Sequence, residues 1–452
     1  MPYWVPPISH HFAWGAIALL VYVVTTRSGG VRRPPATAIA WVLGLVLLPY
    51  VLLPLYLVFG QRKIKAAPRP RPASFANEQC WPAAQLESFG LAAPSPAETR
   101  FHGNGAEARE ALWEIMESAQ VTLDVSTFLI ADDPIGLEAV ARLTGRARAG
   151  VRVRLMIDGA GAWLTHKPDF AALRAAGAQV MLFQPVFGPS RPGGRNLRNH
   201  RKLVVADDAG LWCGGRNLAA EYFCGDGRAE PWIDLSFTLR GEVAAVAARQ
   251  YEADWASASG QASQRAVISQ PSAHGSLVQF LPSGPDQPED TAQALLVAAC
   301  FRAQHRFIAV TPYFVPDESL LAALRLATLR GVQTTLVIPA TSNHHLADFV
   351  RGRGLRALAQ AGATIYVIPR MVHAKAVVVD DTFALCGSMN LDARSLLINY
   401  EAGVVFYGLT EIEWLAQWID ALAAHGTPYQ ARAPGFARDL AEGLLLTVGF
   451  QL

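Results

Sequence analysis

The chemistry of this chain is concentrated in one phrase that occurs twice. Residues 200–217 read HRKLVVADDAGLWCGGRN and residues 373–390 read HAKAVVVDDTFALCGSMN. Aligned without a gap, nine of the eighteen positions coincide, including His200/His373, Lys202/Lys375, Asp207/Asp380, Gly214/Gly387 and Asn217/Asn390. Unrelated segments of this length would share about one position, so the phrase marks an internal duplication. The offset of 173 residues is far longer than a solenoid repeat and implies two whole domains, each supplying half of one site. In each copy the histidine and lysine are two residues apart, which puts both on one face of an extended strand. The asparagine rejoins them only if the glycine turn folds the chain back, and glycine there allows close backbone approach to a ligand. Two such faces brought together give two imidazoles, two ammonium groups and two amides around one point. A phosphate diester suits that arrangement. Lysine and asparagine donate to its non-bridging oxygens, one imidazole attacks phosphorus, and the other protonates the departing alkoxide. The lysines supply the positive charge, so neither a metal nor another cofactor is expected.

An attacking imidazole must be neutral and held in one tautomer, which a carboxylate on its other ring nitrogen achieves. Asp234 in PWIDLSF and Glu401 in NYEAGVVF lie at similar distances downstream of the two phrases and are the candidates. Asp207 and Asp380 follow the strand within the phrase and are expected to brace the fold or a lysine. Cys213 and Cys386 occupy equivalent positions beside the glycines and read as small buried strand residues.

The elements that must position these groups repeat as well. VTLDVSTFLI, EAVARLTGRARAG, VRVRLMID, ALRAAG and QVMLFQP alternate strand and helix, and RFIAVTPYF, LLAALRLATLRG, VQTTLVIP, LRALAQAG and ATIYVIP repeat that order. The pattern predicts an α/β fold with largely parallel strands flanked by helices. Boundaries follow at 96–260 and 273–430 for two tandem domains, separated by a small, polar stretch. A tail covers 431–452.

The hydrophobic fraction is 51% and net charge is +2, and the apolar excess sits at the N-terminus. Residues 12–26 and 34–60 offer apolar stretches, apart from the basic turn between them, that suit a two-helix transmembrane hairpin within 1–66, with Pro49 and Pro54 kinking the second helix. Arg62, Lys63, Lys65, Arg69 and Arg71 outnumber Arg27, Arg32 and Arg33 of the turn, which places the large domains on the cytoplasmic side. KAAPRPRPAS, within 67–95, reads as an extended Pro-rich tether. Five dispersed cysteines without C-x-x-C spacing argue against a disulfide framework or zinc site.

With these residues in view, the chain resembles the phospholipase D superfamily, whose mark is paired H-x-K-x4-D motifs each followed by G-G/S-x-N. More narrowly it is similar to bacterial cardiolipin synthases over nearly its full length, through YLVFGQRK, RNLRNHRKLVVAD, CGGRNLAAEYF, PWIDLSFTLRGEVAAV, TPYFVPDESLLAAL and CGSMNLDARSLLINYE. The resemblance implies a pseudo-twofold pair of domains with one active site at their interface, in the bacterial inner membrane. It also implies metal-free phosphatidyl transfer between two phosphatidylglycerol molecules through a covalent phosphatidyl-histidine. On that reading the motif residues His200, Lys202, Asp207, His373, Lys375 and Asp380 form the catalytic set, with His200 the nucleophile and His373 the general acid, then base. Lys202, Lys375, Asn217 and Asn390 would bind phosphate with Ser388 assisting, a donor that Gly215 lacks in the other copy. Asn343 and the C-terminal LAEGLLLTVGFQL depart from the family pattern.

The expected partners are phosphatidylglycerol and the bilayer, with a homo-oligomer left open. Arg191, Arg195, Arg198 and Arg201 gather ahead of the first motif, as for head-group capture, and the absence of interleaved aromatics argues against nucleic acid. His344, His345 and Asp348 match no common metal spacing and read as a loop or helix start. Trp232 and Tyr313 are candidates for the substrate entrance. The competing functional reading is a hydrolytic phospholipase D or other phosphodiesterase, with water as acceptor. A non-catalytic lipid scaffold is disfavoured, because both copies keep every motif residue.

Overall fold

The computed structural model describes residues 8–29, 35–60, 62–63, 80–187, 194–225, 227, 229–261 and 274–446. In the first half the strands are β1 (Ser95–His102), β2 (Thr122–Thr127), β3 (Arg152–Asp158), β4 (Gln179–Phe183), β5 (Leu203–Ala206), β6 (Gly210–Gly214) and β7 (Ser236–Gly241). The second half has β8 (Ser276–Ser283), β9 (Arg306–Val310), β10 (Phe314–Val315), β11 (Gln333–Pro339), β12 (Thr364–Ile368), β13 (Ala376–Val379), β14 (Phe383–Gly387), β15 (Leu391–Asp392), β16 (Glu401–Phe406) and β17 (Thr427–Pro428).

Fifteen of these strands form a single sheet, and β10 pairs with β15 apart from it. Outward from its middle the sheet runs β1, β7, β6, β5, β2, β3, β4 on one side and β8, β16, β14, β13, β9, β11, β12 on the other, with β17 at the far edge. The two series are equivalents in the same order. The duplication is therefore a pseudo-twofold centred on the antiparallel β1–β8 pair, where Pro96 faces Leu277.

Strand direction corrects the expectation of largely parallel pairing. Four neighbours in the sheet are parallel, β2–β3, β3–β4, β9–β11 and β11–β12, and the other ten are antiparallel. The parallel pairs β2–β3, β3–β4 and their counterparts are those joined through helices. The repeated phrase instead folds as a hairpin: Asp207 (φ 54°) and Asp208 (φ 57°) turn β5 directly back into β6.

Alternation along β5 explains why both sheet faces are covered. Leu203 and Val205 join a central apolar cluster with the helices Glu242–Ser259 and Leu409–Ala423, while Val204 and Ala206 face Trp212 and the helices Gly105–Ser118 and Pro134–Arg148. The central cluster draws on both halves, joining Phe237 to Val404 and Phe406.

At the N-terminus one helix, Ile8–Gly29, contains a window, Ser9–Thr26, long and apolar enough to cross a membrane. The second apolar stretch is two shorter helices, Pro35–Leu47 and Pro49–Phe59, broken at Leu48. Pro49 disfavours helical backbone in the residue before it, whereas Pro54 lies inside the second piece. The three helices pack around Tyr22, Leu45, Leu53 and Tyr56. Directly after them Arg62 and Lys63 pair with Asp290, and Lys63 also donates to the carbonyls of Gly284 (2.9 Å) and Gln287 (3.1 Å). The other members of the two basic clusters lie outside the described residues, or in Arg27's case outside the described side chains.

The tether is expected over 67–95. Its Pro-rich part lies outside the described residues, but Trp81–Ser88 is a helix whose Leu86, with Leu91, is buried against Leu281 and Leu295 of the second half. In the C-terminal tail, Phe436–Leu446 is a helix packed on His345–Gln360, with Glu442 buried and 2.5 Å from Arg356.

Candidate active site

Both motif histidines stand just ahead of their strands, and each is tied by its backbone to the opposite half. His200 N–H donates to the carbonyl of Tyr400 (2.8 Å), and His373 N–H donates to that of Ile233 (2.7 Å). Tyr400 and Ile233 immediately precede Glu401 and Asp234, so these bonds deliver each acid to a histidine across the interface. His200 Nδ1 lies 3.0 Å from Glu401, and His373 Nδ1 lies 2.7 Å from Asp234. Both candidate acids therefore reach a motif imidazole, but each serves the histidine of the other half, an exchange that position along the chain did not suggest. A carboxylate accepts only if Nδ1 carries the proton, which leaves Nε2 as the bare, nucleophilic nitrogen.

Without a bound anion, burial and charge keep the imidazoles neutral. Desolvation pulls His373 down to about 3; Lys375, 2.8 Å from its Nδ1, adds to that fall and Asp234 opposes it. His200 is lowered by the same burial, with Glu401 pulling upward and Lys202 and Lys375 downward. Burial likewise takes Lys202 to about 8 and Lys375 to about 7, against the attraction of Glu401 and Asp234. For Asp234, burial pushes upward but is outweighed by His373, Lys375 and Arg216, which hold it at about 2. Glu401 is lowered too, since His200, Lys202 and Ser388 overcome its burial. The first lysine acts on the second histidine and the second lysine on the first. The two halves thus form one electrostatic site.

Lys202 and Lys375 are buried and donate to the carbonyls of their own histidines. Asn217 and Asn390 are also buried, and their amide nitrogens donate to Tyr222 Oη (2.9 Å) and Ser395 Oγ (3.0 Å). Ser388, expected at the phosphate, donates its hydroxyl to Glu401, the acid on His200, and accepts from Ala402 N–H (3.0 Å). The opposite copy has no room for a serine, because a Cβ on Gly215 would stand 2.2 Å from Asp234 Oδ1. Gly214, at φ +146°, would likewise press a Cβ to 2.4 Å from the Leu235 carbonyl. Asp207 and Asp380, counted in the catalytic set by their motif, lie at the far ends of β5 and β13. Asp207 accepts from Gln120, Val121 and Thr122 N–H, and Asp380 from Gln304, His305 and Arg306 N–H, all at 2.7–2.9 Å. They brace the fold.

Two arginines of the cluster expected at a head group, Arg198 and Arg201, are instead buried in ion pairs. Arg201 is fully buried, pairs with Asp254 and Asp286 (2.9 Å), and donates to the Glu401 carbonyl (2.9 Å). Arg198 is buried against Asp158 and the Gln184 carbonyl. Arg195 is exposed, and Arg191 lies outside the described residues. His344 Nδ1 accepts from Ala347 N–H and caps the helix His345–Gln360, while Asp348 holds Ser342 N–H and Arg351, so this group is a helix start. Trp232 lies against His373 with ring centroids 5.6 Å apart; Tyr313 instead donates to Asn343 Oδ1 (2.5 Å).

Three contributors went unread in the sequence. Phe128 meets His200 edge-on at 5.4 Å, Tyr222 meets His373 at 5.0 Å and holds Asn217, and Ser395 holds Asn390. Tyr222 and Ser395 each follow their asparagine by five residues, so extending the repeat alignment would have found both.

The family description "Cardiolipin synthase, PLD-like domain" matches residues 112–255 and 296–423. Cardiolipin synthase A of Pseudomonas putida (strain W619) is 30% identical over 420 residues, covering 87% of this chain and 88% of its own. Cardiolipin synthase A of Pseudomonas aeruginosa (strain LESB58) is 32% identical over 416 residues, covering 86% and 84%. Among solved structures, phosphatidylserine synthase of Haemophilus influenzae Rd KW20 superposes with a TM-score of 0.61 at 15% identity, over 83% of this chain and all of that one, a likeness of fold. With both halves matched and its paired motifs meeting at one interface, the chain belongs to the cardiolipin synthase family of phospholipase D-like proteins.

Proposed function

We propose that the chain is a phosphatidyltransferase that makes cardiolipin and glycerol from two molecules of phosphatidylglycerol. The observation that carries this reading is the exchanged pair of histidine–carboxylate contacts, 3.0 and 2.7 Å long, at the one interface where both lysines also lie. His200 is the nucleophile. Its side chain retains 14% exposure against 4% for His373, so its Nε2 is the more approachable. Nε2 forms a bond to phosphorus and the bond from phosphorus to the glycerol oxygen breaks; His373, made imidazolium by the anionic diester bound beside it, gives that oxygen its Nε2 proton and becomes neutral. The hydroxyl of the second phosphatidylglycerol then loses its proton to His373 and attacks phosphorus, and the bond to His200 breaks. Lys202, Lys375, Asn217 and Asn390 hold the non-bridging oxygens; Asp234 and Glu401 fix the tautomers and stabilise the imidazolium that forms.

The helix Ile8–Gly29, with the two-piece second segment, forms a hairpin in the bacterial inner membrane. The catalytic halves, near 96–260 and 273–430, lie on the cytoplasmic side. Incubating the purified protein with phosphatidylglycerol alone decides the reaction. Cardiolipin with equimolar glycerol is the expected product, and phosphatidic acid as the main product would select hydrolysis.

A further inference from the structure

We infer that the face carrying the active site bears two apolar ridges, one from each half, that seat in the bilayer surface on either side of the site mouth. This rests on the proposed lipid substrate and goes beyond it. The register defines the face: Ser126 at the end of β2 lies opposite Leu203 at the start of β5, and Val310 at the end of β9 lies opposite Ala376 at the start of β13. Segments that follow β2, β3, β4, β9 and β11 therefore emerge where the histidines and lysines stand. In the first half the segment after β3 presents Trp163 and Leu164 and the segment after β4 presents Phe187, all more than half exposed, with the Trp163 and Phe187 rings 6.1 Å apart. In the second half the helix Phe436–Leu446 lies on His345–Gln360, which follows β11. Phe436, Leu440 and Leu444 recur every four residues on one side of it and are more than half exposed, while Leu445 and Leu446 pack near Tyr313.

A lipid surface is the occupant because the face is continuous with the membrane segment. The apolar helix Pro49–Phe59 packs against the turn Gly194–Asn196, four residues ahead of His200. The ion pairs of Arg62 and Lys63 with Asp290 dock the end of that segment on the second half. Exposed Lys167 beside the first ridge suits anionic head groups, while Arg438 on the second helix is paired with Glu442 at 2.9 Å. So placed, a diester enters the site without its acyl chains leaving the bilayer.

The test uses the full-length protein and the variants L164E/F187E and L440E/L444E on two forms of phosphatidylglycerol, long-chain vesicles and dihexanoyl lipid below its micelle concentration. Each variant should lose about tenfold or more turnover on vesicles and stay within about twofold on the monomeric lipid. Unchanged vesicle turnover, or equal loss on both forms, overturns the proposal. In a second measurement a bimane label is placed at L164C or L440C, with Cys80 and Cys224 replaced by serine. Quenching by doxyl-labelled phosphatidylglycerol vesicles is expected. A label reached by aqueous iodide, or shielded from both quenchers as a second copy of the chain would shield it, overturns the ridges. If wild type makes no cardiolipin from either lipid, the transferase reading fails while the quenching still judges the surface.

Discussion

Glu401 lies 3.0 Å from His200 Nδ1 across 201 residues of chain, and Asp234 lies 2.7 Å from His373 Nδ1 across 139. Replacing either acid with its amide, D234N or E401Q, keeps size but lets an N–H face the ring and inverts the preferred tautomer. Turnover should fall by about 10³–10⁴-fold in each variant, the scale seen when a histidine-orienting carboxylate is lost, with a much smaller change in KM. The double variant should be far less damaged than the product of the two. Single-turnover kinetics on variants of unchanged circular dichroism check this.

Alkaline pH should weaken substrate capture. Burial lowers Lys375 to about 7 and Lys202 to about 8, so each is a cation below that value and loses its charge as pH rises through it. The free enzyme then surrenders the charges that grip the phosphate, and kcat/KM should decline between about pH 7 and 9. A bound anionic diester favours the charged lysines, so the matching limb of kcat should sit at higher pH. On the acid side His373, drawn down to about 3, stays neutral well below the ordinary histidine range. A kcat/KM profile flat across pH 7–9 would contradict this assignment.

Asp207 and Asp380 should matter for stability and not for chemistry. D207A removes a carboxylate that accepts three backbone N–H groups and puts a Cβ-bearing residue without a polar side chain at φ 54°. The cost should be about 2–4 kcal/mol. D207N, which tolerates the left-handed turn, should lose less. Thermal unfolding and turnover measured on the same samples separate the two effects, with turnover per folded molecule staying within about threefold.

Gly215 should resist any side chain. G215S would restore the symmetry of the two phrases but force its Cβ against Asp234 Oδ1, 2.2 Å away. Displacing that acid loosens His373, so turnover should fall by about a hundredfold. The reciprocal S388G removes one hydrogen bond to Glu401 and should cost about tenfold. The order of the two effects, read from kcat, is the prediction.

The duplication made the histidines, lysines and asparagines legible, since coincidence of chemically able residues at one offset has few other causes. The alternation of strands with helices was legible for the same reason. Strand direction was not, because an apolar run such as LVVA buries equally well in either sense; the turn at Asp207 and Asp208 decides it. The partners of Asp234 and Glu401 were hidden because they are made by the interface and not by either segment. Arg198 and Arg201 read as surface charges since arginine is usually exposed. The acids that neutralise Arg201, Asp254 and Asp286, lie 53 and 85 residues away. Within 67–95, proline-rich composition masked the buried helix that begins at Trp81.

Because the carboxylates are exchanged, neither half can complete its own imidazole. A single-copy ancestor would have had to meet its twin before either ring acquired an acid, and its output would have followed the square of its concentration. Fusion made that encounter permanent and released the copies from identity. One could then settle on aspartate with glycine and the other on glutamate with serine, giving two like half-sites the freedom to take unlike duties.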